Sequence, residues 1–189
     1  MEGTDGGTID RAGLEDFEGV VHVASLPQAR WTPAFVKRWR ENHRKGIGMM
    51  IKRIPESHQD LIDGPYVIAL STVMPDGHPQ TTPVWCNRRD DCIFINVMKG
   101  FRKEKNMRLN LKVSLLAYDP KNPLRNIEIR GCVVEMTEEG AVEHDDELAR
   151  LYLGKPDAKF FGDAVPAELE SRYTPVRVKI APTHIRVEG

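Results

Sequence analysis

From residue 66 onward the apolar positions alternate at the spacing of strands, and polar clusters cut the pattern into short pieces. Tyr66-Val67-Ile68-Ala69-Leu70-Ser71-Thr72-Val73 is apolar and β-branched. Met74-Pro75-Asp76-Gly77-His78 is turn chemistry with Gly77 free to take positive φ, and Thr81-Thr82-Pro83-Val84-Trp85-Cys86 resumes the β pattern. This predicts a hairpin. Asn87-Arg88-Arg89-Asp90-Asp91 reads as a second polar turn, and Cys92-Ile93-Phe94-Ile95-Asn96-Val97 as a third strand apolar on both faces. Residues 111–118 predict a fourth strand, 119–123 a loop, and 126–136 a long fifth strand with period-two alternation. A helix is predicted over 141–153, with Leu148, Leu151 and Tyr152 on one face and Gly154 as its stop. Residues 172–180 and 184–187 supply two final strands. A short helix opening at Pro55-Glu56-Ser57 carries Leu61 and Ile62.

Two residues qualify these strands. Pro83 donates no ladder hydrogen bond, which places its segment at an edge or bulge, and Gly131 marks a bulge or a close backbone approach. Successive hairpins with only short helices between them predict a small antiparallel barrel, since parallel pairing needs long crossovers. No GxGxxG follows a strand, and Ser57, Ser71 and Ser114 stand outside any GxSxG, so neither a Rossmann nucleotide site nor a nucleophile elbow is expected.

A length of 189 residues favours one domain with an appendage. With 27 Lys+Arg against 28 Asp+Glu the net charge is -1, so nucleic-acid binding through overall basicity is not expected and any anion binding must be local. No segment has the run of apolar residues of a transmembrane helix, and the Gly-rich, acidic start has no signal-peptide pattern; a cytoplasmic location is expected. Cys86, Cys92 and Cys132 lack CxxC spacing and read as buried thiols in a reducing compartment. The six histidines show no metal-ligand spacing, and no metal is expected.

Residues 1–48 differ in character from 49–189 and read as an N-terminal extension, partly disordered. Within it Thr32-Pro33 opens a helix with Trp31, Phe35 and Trp39 on one face and Lys37, Arg38, Arg40, Arg44 and Lys45 around it. Its apolar face meets its own domain, a partner or, as the weaker reading, a membrane surface. A start of translation at Met49 or Met50 would instead leave these residues outside the natural protein. The extension is expected to be dispensable for folding and cofactor binding.

The segment Phe101-Arg102-Lys103-Glu104-Lys105-Asn106 places cations where a strand ends and a helix begins, a site suited to phosphate. Backbone left unpaired at Pro83 would face a flat ligand. Each feature has a plainer reading: a Lys/Arg group at a helix start is commonly a solvated face, Trp85 suits a core or interface, and Arg130 suits a cross-strand ion pair.

Taken in order, Ala69-Leu70-Ser71-Thr72-Val73, Asp76-Gly77-His78-Pro79-Gln80, Pro83-Val84-Trp85, Lys103-Glu104-Lys105-Asn106-Met107, Lys112-Val113-Ser114-Leu115 and Glu128-Ile129-Arg130-Gly131 resemble the split β-barrel flavin and deazaflavin oxidoreductases named for pyridoxamine 5'-phosphate oxidase. The resemblance covers about residues 50–189 and is nearest the branch that uses the deazaflavin coenzyme F-420. It implies a mainly β fold with short helices, the FMN-binding split barrel of Greek-key type, and a homodimer holding its cofactor in a groove between subunits. It implies phosphate binding by Lys103, with Lys105 and Asn106 completing the motif and Arg102 standing where some relatives carry Arg one residue earlier. Thr81, Thr82, Pro83, Val84 and Trp85 match the strand that lies along the cofactor ring. The resemblance does not extend to the C-terminal arginine-bearing segment of true pyridoxamine phosphate oxidases, so a vitamin-B6 substrate is not expected. The expected activity is hydride transfer from reduced F-420 to an unsaturated small molecule; an FMN oxidoreductase, or a non-catalytic module binding flavin, deazaflavin or haem, are the alternatives. The catalytic residue is unassigned, with Tyr118, His78 and Tyr152 as proton sources.

Overall fold

The computed structural model describes residues 51–189. Their strands are β1 (Ile68–Val73), β2 (Pro79–Val84), β3 (Cys86–Arg89), β4 (Cys92–Met98), β5 (Lys112–Asp119), β6 (Asn122–Thr137) and β7 (Pro175–Glu188), with helices α1 (Asp60–Asp63), α2 (Arg102–Leu109) and α3 (Ala141–Leu153) between them. All seven strands pair antiparallel in one sheet of order β2-β1-β5-β6-β7-β4-β3. The two edge strands are consecutive in the chain and only Trp85 separates them. One intervening residue holds the ends of β2 and β3 within about 7 Å of each other, so the sheet must curl until its edges meet at Trp85. The result is a barrel closed at that corner and split elsewhere.

Alternation along each strand fills this barrel. Ile68 and Leu70 of β1, Val113 and Leu115 of β5, Ile127 and Ile129 of β6 and Val176, Val178 and Ile180 of β7 point inward and are buried, joined by Leu61 and Ile62 of α1 and Met107 of α2. The β1–β2 hairpin forms as its turn residues require. Gly77 sits at φ 91°, its N–H bonded to the Met74 carbonyl at 2.9 Å, and the Asp76 carboxylate accepts the His78 N–H at 3.0 Å. Pro83 lies on the edge strand β2. Gly131 lies at a register shift on β6, where a Cβ would stand 2.6 Å from Ile180 Cγ2.

The structure departs from the sequence reading at four places. The strand expected through Trp85 and Cys86 ends at Val84, and Cys86 opens β3. The expected polar turn at 87–91 is mostly strand: β3 carries Asn87, Arg88 and Arg89, and only Asp90 and Asp91 turn, Asp90 at φ 55°. Arg88 takes a bidentate partner in Asp63, at 3.0 and 2.5 Å, so its charge is answered beside the strand. The loop at 119–123 shrinks to a tight turn, because β6 already begins at Asn122. The two final strands are one, β7, with Thr183 as an extra residue between the Gly131–Pro182 and Arg130–His184 pairs and its hydroxyl donated to the Arg130 carbonyl at 2.9 Å. Pro182 and Thr183 broke the apolar alternation locally, while pairing along β6 carries the strand through.

The three cysteines are free and buried. Among the described residues no helix is long and apolar enough to cross a membrane, and no cluster of His, Cys, Asp or Glu is placed to hold a metal ion. The reading of 1–48 as an extension with a basic helix falls outside the described residues.

Candidate functional site

Trp85, at the corner where the sheet closes, stacks on Tyr152 of α3 with centroids 4.7 Å apart and planes 16° from parallel, and meets the edge of Phe160 at 6.0 Å. Tyr152 is itself anchored. Its hydroxyl accepts the Cys86 N–H at 2.9 Å and donates to the Tyr66 carbonyl at 2.8 Å, and burial pushes its pKa far up. The Trp85 ring is therefore held in one position by an aromatic strut, as a ligand platform requires.

Beside this corner the chain leaves β4, turns at Gly100 (φ 86°) and enters α2. Phe101 caps the helix and packs edge-on against Tyr173 at 5.4 Å, so Arg102, Lys103 and Glu104 form its first turn. Glu104 is buried, accepts the Gly100 N–H at 3.1 Å and pairs with Arg108, which spends its charge inside the helix. Lys103 differs. It is half-buried, burial lowers its pKa, its ammonium donates only to Thr82 Oγ1 at 3.3 Å, and no carboxylate of the described residues pairs with it. An ammonium partly stripped of water without a counter-ion, next to the positive end of a helix, is arranged to receive an anion.

Lys103 and the Pro83-Val84-Trp85 corner line one cavity of about 240 Å³, with Asn96, Val97 and Met98 of β4, Phe101, Asp145 and Leu148 of α3, and Phe160. The α3 wall is polar below the surface. His144 is buried between Asn96 at 2.6 Å and Asn87 at 3.0 Å, and burial lowers its pKa from 6.5 to about 4. Asp145 is 3% exposed and its Oδ2 has no hydrogen-bond partner among the described residues. Burial raises its pKa to about 7, with the Asn96 amide opposing and the Asp146 charge adding to the shift.

Comparison with known families gives one match: the model described as pyridoxamine 5'-phosphate oxidase aligns with residues 54–185, more than half of the chain. The chain belongs to the pyridoxamine 5'-phosphate oxidase family. Members are flavin-binding oxidoreductases built on this split barrel. No curated protein matches the sequence. Among solved structures, one described as an F420 reductase is 25% identical, with a TM-score of 0.59 over 70% of this chain and 98% of that one. A conserved hypothetical protein of Mycobacterium tuberculosis is 21% identical, with a TM-score of 0.54 over 75% of this chain and 87% of that one. HupZ of Group A Streptococcus is 20% identical, with a TM-score of 0.50 over 71% of this chain and 93% of that one. The last two establish the fold they share with it.

Within this pyridoxamine 5'-phosphate oxidase family barrel the sequence-expected site residues separate. Pro83, Val84, Trp85 and Lys103 meet in the cavity, and Thr82 touches it through Lys103. Thr81 faces the outer side of the sheet, where its hydroxyl bonds Ser71 at 2.7 Å. Arg102 and Lys105 are exposed on α2, and their side chains have no hydrogen bond or ion pair among the described residues. Asn106 is fully buried, and its amide donates to Thr72 Oγ1 at 3.0 Å and Gln80 Oε1 at 3.1 Å, tying α2 to the β1–β2 hairpin beneath Lys103. Of the proton sources, Tyr152 has its hydroxyl turned into backbone partners. His78 lies at the opposite end of β2 from Trp85, about 20 Å by strand length, and Tyr118 is exposed on the outer face. Arg130 pairs with Glu128, two residues away on its own strand, at 3.2 Å. Asp145, Asn96 and Phe160 were not foreseen. Asp145 had a legible signal: it stands three residues before Leu148 and seven before Tyr152, a carboxylate in the apolar stripe of α3.

Proposed function

We propose that this protein is an oxidoreductase that uses reduced coenzyme F-420 to transfer hydride to an unsaturated small molecule. The observation that carries the reading is that an unpaired, partly desolvated ammonium, Lys103, lines the same cavity as the immobilised Trp85 platform. The residues suit a ring joined to a phosphate: Lys103 and the first-turn amides of α2 would hold the anion, and Pro83, Val84 and Trp85 would lie along the ring. Arg102 and Lys105 would contribute long-range attraction from the helix surface. The cofactor supplies the hydride chemistry when bound; the chain binds, orients and excludes water. The F420 reductase among the structural neighbours supports the deazaflavin. FMN is the second reading, supported by the family match, because the cationic motif recognises phosphate in either ligand.

The protein is further proposed to act as a homodimer with the outer sheet face inside the interface. On that face Leu116, 41% exposed, stands in register with Ala69 and thence with exposed Pro83, and Val67 and Tyr118 are 53% and 46% exposed. Pro83 belongs to both this face and the cavity, so a second copy would close the groove.

An absorbance spectrum of the purified protein, followed by fluorescence titration with F-420 and with FMN, tests the assignment. Saturable F-420 binding at least tenfold tighter than FMN is expected. Preference for FMN would replace the cofactor, a haem spectrum would favour the non-catalytic module, and binding of neither flavin nor deazaflavin would overturn the oxidoreductase reading.

A further inference from the structure

Three polar side chains line the cavity beside Trp85, and two have their partners. Asn96 donates its amide to the Ala141 carbonyl at 2.6 Å and turns its oxygen to His144, while Lys103 reaches Thr82. Asp145 remains, buried, with Oδ2 unanswered among the described residues. An unpaired buried acceptor is disfavoured unless something else completes it, and this one borders the cavity rather than the barrel core.

We propose that Asp145 contacts the bound cofactor, donating a hydrogen bond from its carboxylic acid form to an acceptor on the ring. The proposal rests on reading the cavity as the cofactor site. The protonation state follows from the charges around the group. On its own helix, Asp146 is paired with Lys159 at 2.7 Å and accepts the Phe160 N–H at 2.9 Å, and His144 faces Asn87 and Asn96. From β4 comes neutral Asn96; from β7, Arg177 approaches the start of α3 at Gly140 and pairs with Glu135 at 3.6 Å. Lys103 lines the same cavity but forms no hydrogen bond or ion pair with Asp145. A ligand ring lying over the cavity would take more water from the Asp145 carboxyl, where Asp146 already opposes its charge, so binding favours the acid. Burial already brings Asp145 to about 7, so near neutral pH the group takes up a proton when the ligand enters. Affinity should fall as pH rises above 7.

Binding-linked proton uptake tests this with the full chain, using calorimetry at pH 7 in two buffers of different ionisation enthalpy and with F-420 and FMN as probes. Wild type should take up about half a proton more than Asp145→Asn, since about half of the Asp145 groups start ionised there. That difference separates the carboxyl from the ligand's own ionisations, such as the second ionisation of the FMN phosphate near pH 6. Asp145→Asn keeps a donor and should bind within about threefold of wild type, whereas Asp145→Leu should bind about tenfold more weakly, both with native melting curves. Equal proton uptake in wild type and Asp145→Asn, or full affinity in Asp145→Leu, would overturn the assignment while leaving the cofactor site standing. Binding of neither probe to wild type would overturn both.

Discussion

Replacing Lys103 by Met keeps most of the aliphatic stem that walls the cavity and removes only the charge. Among the described residues that ammonium has a single hydrogen bond, 3.3 Å to Thr82 Oγ1, and its pKa is lowered by burial, so it is not a stabilising ion pair. Toward a phosphate it would make a charge-assisted bond worth about 1.5–3 kcal/mol. This corresponds to about a ten- to hundredfold loss of affinity in K103M. The folded state should meanwhile lose nothing, since a partly desolvated, unpaired charge has been replaced by methylene and sulfur. The assay is fluorescence titration with F-420 at several salt concentrations, alongside thermal melts. The wild-type advantage should shrink as salt screens the Coulomb part, and apparent cofactor affinity should change more than turnover at saturation. Arg102→Met and Lys105→Met, being exposed, should each lose less than about fivefold. An unchanged dissociation constant in folded K103M would refute the anion site. A drop in melting temperature with unchanged affinity would show that Lys103 serves the fold alone.

The dimer is checked by light scattering at micromolar concentration: wild type should be a dimer, and Leu116→Glu, which puts a charge on the outer face, should be a folded monomer. A wild-type monomer would remove the interface. Stability should depend on two groups of α3 with opposite signs. His144 is lowered from 6.5 to about 4, so its contribution is present above pH 6.5 and lost as pH falls to 4, up to about 3 kcal/mol. Asp145 is raised from 3.8 to about 7, so its contribution is fully present below 3.8 and lost as pH rises through 7. The two oppose each other between pH 4 and 6.5, and urea melts of D145N should expose the acid loss that wild type masks. Titration of His144 at or above 6.5 by NMR would refute this dependence.

The strands and most of their limits follow from local chemistry: period-two alternation reads out which face of a strand is apolar, and Gly77, Pro83 and Gly131 have backbone requirements that hold in any context. The Lys103 motif was legible for the same reason, since a strand end, a tight turn and a helix start are contiguous in the chain. Sequence alone could not show that 87–89 would pair as β3, because its charges are answered by Asp63 and Glu147 from distant elements. It could not show that β7 runs through Pro182, where β6 carries the pairing across the bulge. It could not separate Thr81 from Thr82, or Asn106 from Lys105, whose opposite environments depend on how α2 seats on the β1–β2 hairpin. Asp145 belongs with these. Its neighbours in the chain made it a carboxylate on a helix, and only the curling of the sheet, which brings β2, β4, α2 and α3 to one corner, set it in a cavity with Lys103 and Trp85. Hydrophobic alternation acts over two residues and can be read along the chain, whereas a desolvated charge is created by groups tens of residues apart.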